Sequence, residues 1–284
     1  MNHTHPLSGN IPLILGGTGK TGRRVVERLR ALNLPVRIGS RSGDPAFVWE
    51  EPSTWPAVLK NVSAVYVVYY PDLAVTGAPD AIRAFTDLAV QNGVRRIVLL
   101  SGRGEEEAQR CERIVQNAGI DWTIVRASWF HQNFSEGAFR EMVLAGEIAL
   151  PAGNVGEPFI DTDDIADVVV AALTKEGHSG QVYEVTGPRL LTFAEATEEI
   201  AKAAGRSVVY RQISNASFAA GLASRGGAPE AIALMRYLFG TVLDGRNAHL
   251  NDGVERALGR QPKDFTAYAQ QAAAAGAWGA EFAA

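Results

Sequence analysis

An apolar run, Ile11-Pro12-Leu13-Ile14-Leu15, passes into Gly16-Gly17-Thr18-Gly19-Lys20-Thr21-Gly22 and then into a stretch where Val25, Val26, Leu29 and Leu32 recur at helical spacing. This order reads as strand, tight turn and helix, with the helix laying its apolar face on a sheet. The glycines leave bare backbone N–H groups at the positive end of that helix, where an anion can approach closely. The expected anion is the diphosphate of a dinucleotide.

The glycines fit two spacings at once, Gly17-x-Gly19-x-x-Gly22 and Gly16-x-x-Gly19-x-x-Gly22. The first is the usual dinucleotide fingerprint, and the second is the version of extended and atypical short-chain dehydrogenases. A ligand-free glycine turn is the plain alternative. A nucleoside-triphosphate loop is the sharper rival, because Gly19-Lys20-Thr21 resembles its tail, but the glycine it requires five residues earlier is Ile14 here.

The second strand, Pro35-Val36-Arg37-Ile38, is followed by Ser40 and Arg41, and no acid occurs between Glu27 and Asp44. A carboxylate there would hold the adenosine ribose of NAD, whereas a hydroxyl beside a guanidinium suits a 2′-phosphate. NADP(H) is therefore the preferred cofactor, with Lys20, Arg23 and Arg37 adding positive charge, and Asp44 leaves NAD(H) open. The other reading of Arg41 is a solvated loop charge.

With 284 residues the chain can bury a large core, and its net charge of −4 without a basic stripe argues against nucleic acid. One cysteine, Cys111, excludes an internal disulfide and suits a reducing, cytoplasmic setting. No apolar run is long enough to cross a bilayer, and the first residues lack the pattern of a signal peptide. His3 and His5 read as part of a terminal tail rather than as metal ligands, and no metal site is expected. The Asp163, Asp164 and Asp167 cluster reads as a helix start, with Thr162 or Asp163 as cap and Ile165, Val168, Val169 and Leu173 facing the core. Cys111 reads as a packing residue.

Further strands are expected at Phe47–Trp49, Ala64–Tyr69, Arg95–Leu100, Trp122–Val125 and Val182–Val185, with helices between them that include Pro79–Gln91 and Glu105–Ala118. Alternation of this kind implies an α/β fold with a doubly wound parallel sheet and ligand at the carboxyl ends of its strands. From Gly187 helices dominate: Phe193–Ala204, Ala216–Ser224, Pro229–Leu243 and Phe265–Ala275. The division expected is a Rossmann-type nucleotide domain over 11–186 and a small, mainly helical C-terminal lobe over 187–284, with 128–158 contributing to the cleft.

Several segments together resemble the NmrA-like branch of atypical short-chain dehydrogenases. They are Gly16–Val26, Trp49–Trp55, Val65–Pro71, Ser128–Phe134 and Asp163–Ala166. The whole chain is similar to bacterial relatives of the ergot-alkaloid iminium reductases. The resemblance implies that Gly16, Thr18, Gly19, Lys20, Thr21 and Gly22 cover the diphosphate, and that Ser40 and Arg41 meet the adenosine ribose. It implies that Tyr69, Tyr70 and Pro71 run along the cofactor, that Ser101 passes the nicotinamide ribose, and that Ser128 lies near the nicotinamide. Glu50 falls where relatives approach the adenine, although an exposed carboxylate before a helix explains it equally.

None of the seven tyrosines has a lysine four positions later, so the pair that ordinary short-chain dehydrogenases use at a carbonyl is missing. A conjugated acceptor such as a quinone or iminium, which needs little acid help, remains as substrate. His131 is the candidate proton donor or else a polar rim residue, and Tyr69 and Tyr70 are weaker catalytic candidates, with stacking on a ligand or packing in the core as the plain alternative for either. Trp129, Phe130, Asn133 and Phe134 are candidates to line a pocket for a flat small molecule, with core packing claiming at least one of the rings. The reading is an NADPH-dependent oxidoreductase, with two alternatives. One is a nicotinamide-dependent oxygenation of a quinone or hydroquinone, and the other is a non-catalytic redox sensor for a protein partner.

Overall fold

A computed structural model describes residues 11–279; His3 and His5 lie outside the described residues. The chain forms β1 (Ile11–Leu15), α1 (Lys20–Ala31), β2 (Arg37–Gly39), α2 (Trp55–Leu59), β3 (Val62–Val67), α3 (Ala78–Gln91), β4 (Arg96–Gly102), α4 (Glu106–Gln116) and β5 (Asp121–Ala127). It continues through α5 (Asn133–Glu136), α6 (Ala138–Leu144), β6 (Glu147–Leu150), α7 (Thr162–Thr174), β7 (Gln181–Val185), α8 (Phe193–Ala204) and β8 (Val209–Gln212). The last helices are α9 (Asn215–Ser224), α10 (Pro229–Tyr237), α11 (Gly253–Leu258) and α12 (Phe265–Ala274).

Two compact units emerge, and the chain passes between them more than once. The first holds residues up to Ala127 together with Thr162–Val185 and Asp252–Arg260; the second holds Ser128–Asp161, Thr186–Asn251 and the chain from Gln261. A single cut at 186/187 therefore misses two exchanges: residues 128–161 belong with the second unit, and α11 returns to the first.

The first unit is a parallel six-stranded sheet in the order β2-β1-β3-β4-β5-β7, covered by helices, which is the Rossmann-type arrangement expected of the alternating pattern. Burial on both faces explains the continuous apolar runs; every residue of β3 is buried. On one face Ile82, Phe85, Ala108, Cys111 and Val115 pack against Leu13, Val65 and Ile97. Burial, with Glu107 and Glu112 nearby, pushes the Cys111 thiol up to about 12, consistent with a packing role.

Phe47–Trp49 is not a strand. Both backbone groups of Val48 are taken by side chains: its N–H donates to Thr54 Oγ1 at 3.1 Å, and its carbonyl accepts from Trp55 Nε1 at 2.8 Å. A ladder with β2 is thereby precluded, and the segment instead places Phe47 and Trp49 in a ring cluster with Trp55 and Phe85.

The second unit contains a two-stranded parallel sheet, β6 with β8, that the sequence pattern did not reveal. Strands of four residues, one of them mostly exposed, give little alternation to read. Helix α8 has the bounds that its sequence announces. Thr192 Oγ1 accepts from Glu195 N at 3.1 Å while Glu195 Oε2 accepts from Thr192 N at 2.7 Å, and Gly205 (φ +63°) ends it. The expected helix Pro229–Leu243 instead ends at Tyr237 and widens into a π turn, Leu238–Val242. Asn215 Nδ2 donates to the Arg236 carbonyl at 3.0 Å and so occupies the acceptor that the next helical turn would use.

The acidic cluster in α7 is an ion-pair hub rather than a metal site. Asp163 pairs with Arg28 at 2.8 Å, Asp167 with Arg28 and Arg260 at 2.5 Å each, and the fully buried Asp164 with Arg260 at 2.7 Å. The helix starts at Thr162, and Ile165, Val168, Val169 and Leu173 are buried as expected. No group of side chains among the described residues has a metal-ligand arrangement. Arg260→Ala should lower stability by about 1–3 kcal/mol, because a buried carboxylate loses a charged partner. Denaturant unfolding measures this, and an unchanged midpoint would mean that the hub carries no stability.

Candidate functional site

The strand ends of the first unit carry the nucleotide-type features. β1 ends at Gly16, whose φ of +63° is a left-handed conformation that suits glycine, and Gly16 O accepts from Gly19 N at 2.8 Å to close the turn. A Cβ at Gly22 would stand 2.1 Å from Gly16 O, so only glycine lets α1 start this close to β1. Gly19 is the N-cap of α1, no side chain caps the helix there, and Thr18 and Gly19 are exposed. This cradle of backbone at a helix N-terminus fits a diphosphate. Thr21 differs from its expected role, since its side chain is buried and accepts from the Tyr66 hydroxyl at 3.1 Å. The Thr21 hydroxyl therefore ties α1 to β3, and only its backbone belongs to the turn.

On either side of β1 lie the ends of β2 and β3. After β2 come half-buried Ser40 and exposed Arg41. The Arg37 guanidinium is committed to the carbonyls of Val58 and Lys60, to which it donates. After β3, Tyr69 packs against Trp49 with ring centroids 4.9 Å apart, whereas Tyr70 is exposed and lies under the Arg41 guanidinium.

Ser101, at the end of β4, is only 4% exposed and donates to Glu112 Oε1 at 2.6 Å. Its hydroxyl is thus committed to a polar chain in which Arg126 bridges Glu112 and Glu184, rather than free for a ribose. Beside it, Asp72 and Glu105 bring two carboxyl groups together, a pair that no sequence pattern indicated. Glu105 packs so tightly on Gly102 that a Cβ there would lie 2.1 Å from its Oε1. Burial, together with the neighbouring Asp72 and Glu112, holds the Glu105 proton well above the ordinary carboxylic range, and burial raises Asp72 as well.

The segment Ser128–Phe134 opens the second unit, and two of its expected site residues prove to be core. His131 is fully buried: Nε2 lies 2.9 Å from Phe159 O, which requires the Nε2–H tautomer as donor, and the ring packs on Phe265 and Tyr268. Nδ1 is 3.6 Å from Asp161 Oδ2. A wholly buried imidazole cannot meet a substrate, so the structure corrects both the proton-donor and the rim assignments. Phe134 is likewise buried, among Phe139, Phe159, Phe193 and Phe265, and its carbonyl accepts from Trp278 Nε1 at 2.8 Å. Trp129 is half-buried against Phe139, Phe193 and Phe239, while Phe130 and Asn133 also keep partial exposure and Ser128 is buried.

Comparison with known proteins agrees with this fold. Residues 16–176 match the family described as NAD(P)H-binding. Agroclavine dehydrogenase of Claviceps fusiformis is 31% identical over 274 residues, covering 89% of this chain and 94% of that protein. An NAD(P)H azoreductase of Xenophilus azovorans is 32% identical over 294 residues, covering 93% and 98%. Among solved structures, the NADPH-dependent quinone oxidoreductase of Escherichia coli in complex with NADPH superposes with a TM-score of 0.76 at 19% identity, covering 92% of this chain and 99% of that one. The fold and glycine turn define an NAD(P)H-binding protein of Rossmann type. The chain belongs to the NAD(P)H-binding family and is an oxidoreductase.

Two outcomes are expected. The unfolded chain releases the Glu105 proton near pH 4.3, but the folded protein holds it to higher pH, so this group's contribution to stability falls as pH rises above that range. Glu105→Gln should therefore flatten the decline of the melting temperature as the pH rises above about 4.3; an unchanged slope would show Glu105 ionised in the folded state. His131→Phe should cost about 1–3 kcal/mol by stranding the Phe159 carbonyl, without altering the pH profile of NADPH oxidation. Loss of a titrating limb from that profile would return His131 to the chemistry.

Proposed function

We propose that the protein is an NADPH-dependent reductase of a flat, conjugated small molecule. The observation that carries the reading is the glycine turn at the start of α1, with Arg41 at the neighbouring strand end and no acid between Glu27 and Asp44. Backbone amides of the turn hold the diphosphate, and the Arg41 fork binds the 2′-phosphate that distinguishes NADPH from NADH. When bound, the nicotinamide supplies a hydride.

The residues of the chain explain why the acceptor is conjugated. No tyrosine–lysine pair is present to pass a proton to a carbonyl oxygen, and His131 is sealed in the second unit. An acceptor that stabilises negative charge internally can take its proton from water, and positioning then supplies the rate. The names of relatives support this class, since azo and quinone groups are conjugated acceptors. In the second unit, the half-buried rings of Trp129 and Phe130, with Asn133 beside them, are the surfaces assigned to such a substrate.

Arg41→Ala should weaken NADPH binding at least tenfold, the loss expected of one charge-assisted contact worth about 1.5–3 kcal/mol, and leave NADH almost unchanged. Calorimetry measures both. Equal losses would remove Arg41 from the 2′-phosphate, and a wild-type protein that binds NADPH yet reduces no quinone, azo or iminium acceptor would favour the redox-sensor reading.

A further inference from the structure

We propose that Tyr70 is the stacking platform for the adenine ring of the dinucleotide, and that Arg41 occupies this platform until the nucleotide displaces it. The inference deepens the NADPH reading and rests on it.

Tyr70 is 63% exposed, more than any other large apolar residue described, and the next most exposed, Leu32, reaches 55%. Its neighbour Tyr69 is half-buried on the Trp49 ring. An aromatic ring left in solvent forgoes apolar burial. The exposed ring nevertheless has a partner: the Arg41 guanidinium carbon lies over it, 5.4 Å from the centroid.

The strand order gives this contact its meaning. Arg41 follows β2, Tyr70 follows β3, and β1 with its glycine turn runs between those two strands. The ends are in register, with Leu15 beside Gly39 and Ile14 beside Tyr66. Contact between Arg41 and Tyr70 thus bridges over the end of β1, beside the point where the strand order reverses and nucleotides bind in folds of this kind. A guanidinium is flat and stacks on aromatic faces, as a purine does, so the ring face that now receives Arg41 has the shape and polarity to receive adenine. Released from the ring, the Arg41 fork is free to turn to the 2′-phosphate, which the same nucleoside carries.

The two residues then have separable effects. Adenine is common to NADPH, NADH and 2′,5′-ADP, so Tyr70→Ala should weaken all three by about tenfold or more. Tyr70→Phe and Tyr70→Trp keep a ring face and should bind within about threefold of wild type. Arg41→Ala should weaken only the two phosphate-bearing ligands. Isothermal titration calorimetry with these probes reads every case, and circular dichroism checks the fold, which an exposed side chain barely supports. If wild type binds the ligands and Tyr70→Ala binds them equally well, the platform is wrong while the NADPH reading stands. A Phe variant as weak as Ala would also overturn it, because the hydroxyl rather than the ring face would be the contact. If wild type binds none of the three, both readings fall together.

Discussion

The closest constraint in the first unit is the approach of α1 to the end of β1. With a Cβ at Gly22 falling 2.1 Å from Gly16 O, and Gly16 itself at φ +63°, the turn can be built from almost nothing but glycine. The same closeness brings the N-terminus of α1 to the strand ends, and Tyr66 clamps it there through Thr21. On the far side of the helix, Arg24 and Arg28 tie α1 to α7 through Asp163 and Asp167. Binding geometry at the front of the helix is thereby fixed by packing and charge behind it.

The strand ends away from the glycine turn are unusually rich in buried charge. Ser101, Glu112, Arg126, Glu184 and Arg103 form one connected polar chain across β4, β5 and β7, with Asp72 and Glu105 beside it. Buried ions of this kind add little net stability, but removing one partner is costly, so the network holds the loops after β3 and β4 in one arrangement. Rigid strand ends are what a nucleotide site requires, because donors must already point at their target when the ligand arrives.

The second unit obtains its order from rings. Phe134, Phe139, Phe159, Phe193, Phe239 and Phe265 meet in edge-to-face and tilted contacts, and His131 joins them as a packing ring with one satisfied nitrogen. The segment that resembles a substrate wall is therefore largely a scaffold. What it offers outward is limited to the partly exposed Trp129, Phe130 and Asn133.

The sequence by itself determined the parallel Rossmann-type sheet, the glycine turn, the missing tyrosine–lysine pair and the core face of α7, because each depends on local periodicity or on spacing within a few residues. It also carried the capping box at Thr192 and Glu195. Tertiary structure alone decided which side chains of those motifs face inward: Thr21 binds Tyr66, Ser101 binds Glu112, and Arg37 binds two carbonyls, none of which leaves a trace in the spacing. It decided that Phe47–Trp49 is a loop, since Thr54 and Trp55 take the backbone groups of Val48. It decided, too, that His131 is core. Whether an imidazole meets solvent or a phenylalanine ring depends on residues far apart in the chain, here Phe159, Phe265 and Tyr268, and no local pattern encodes that distance.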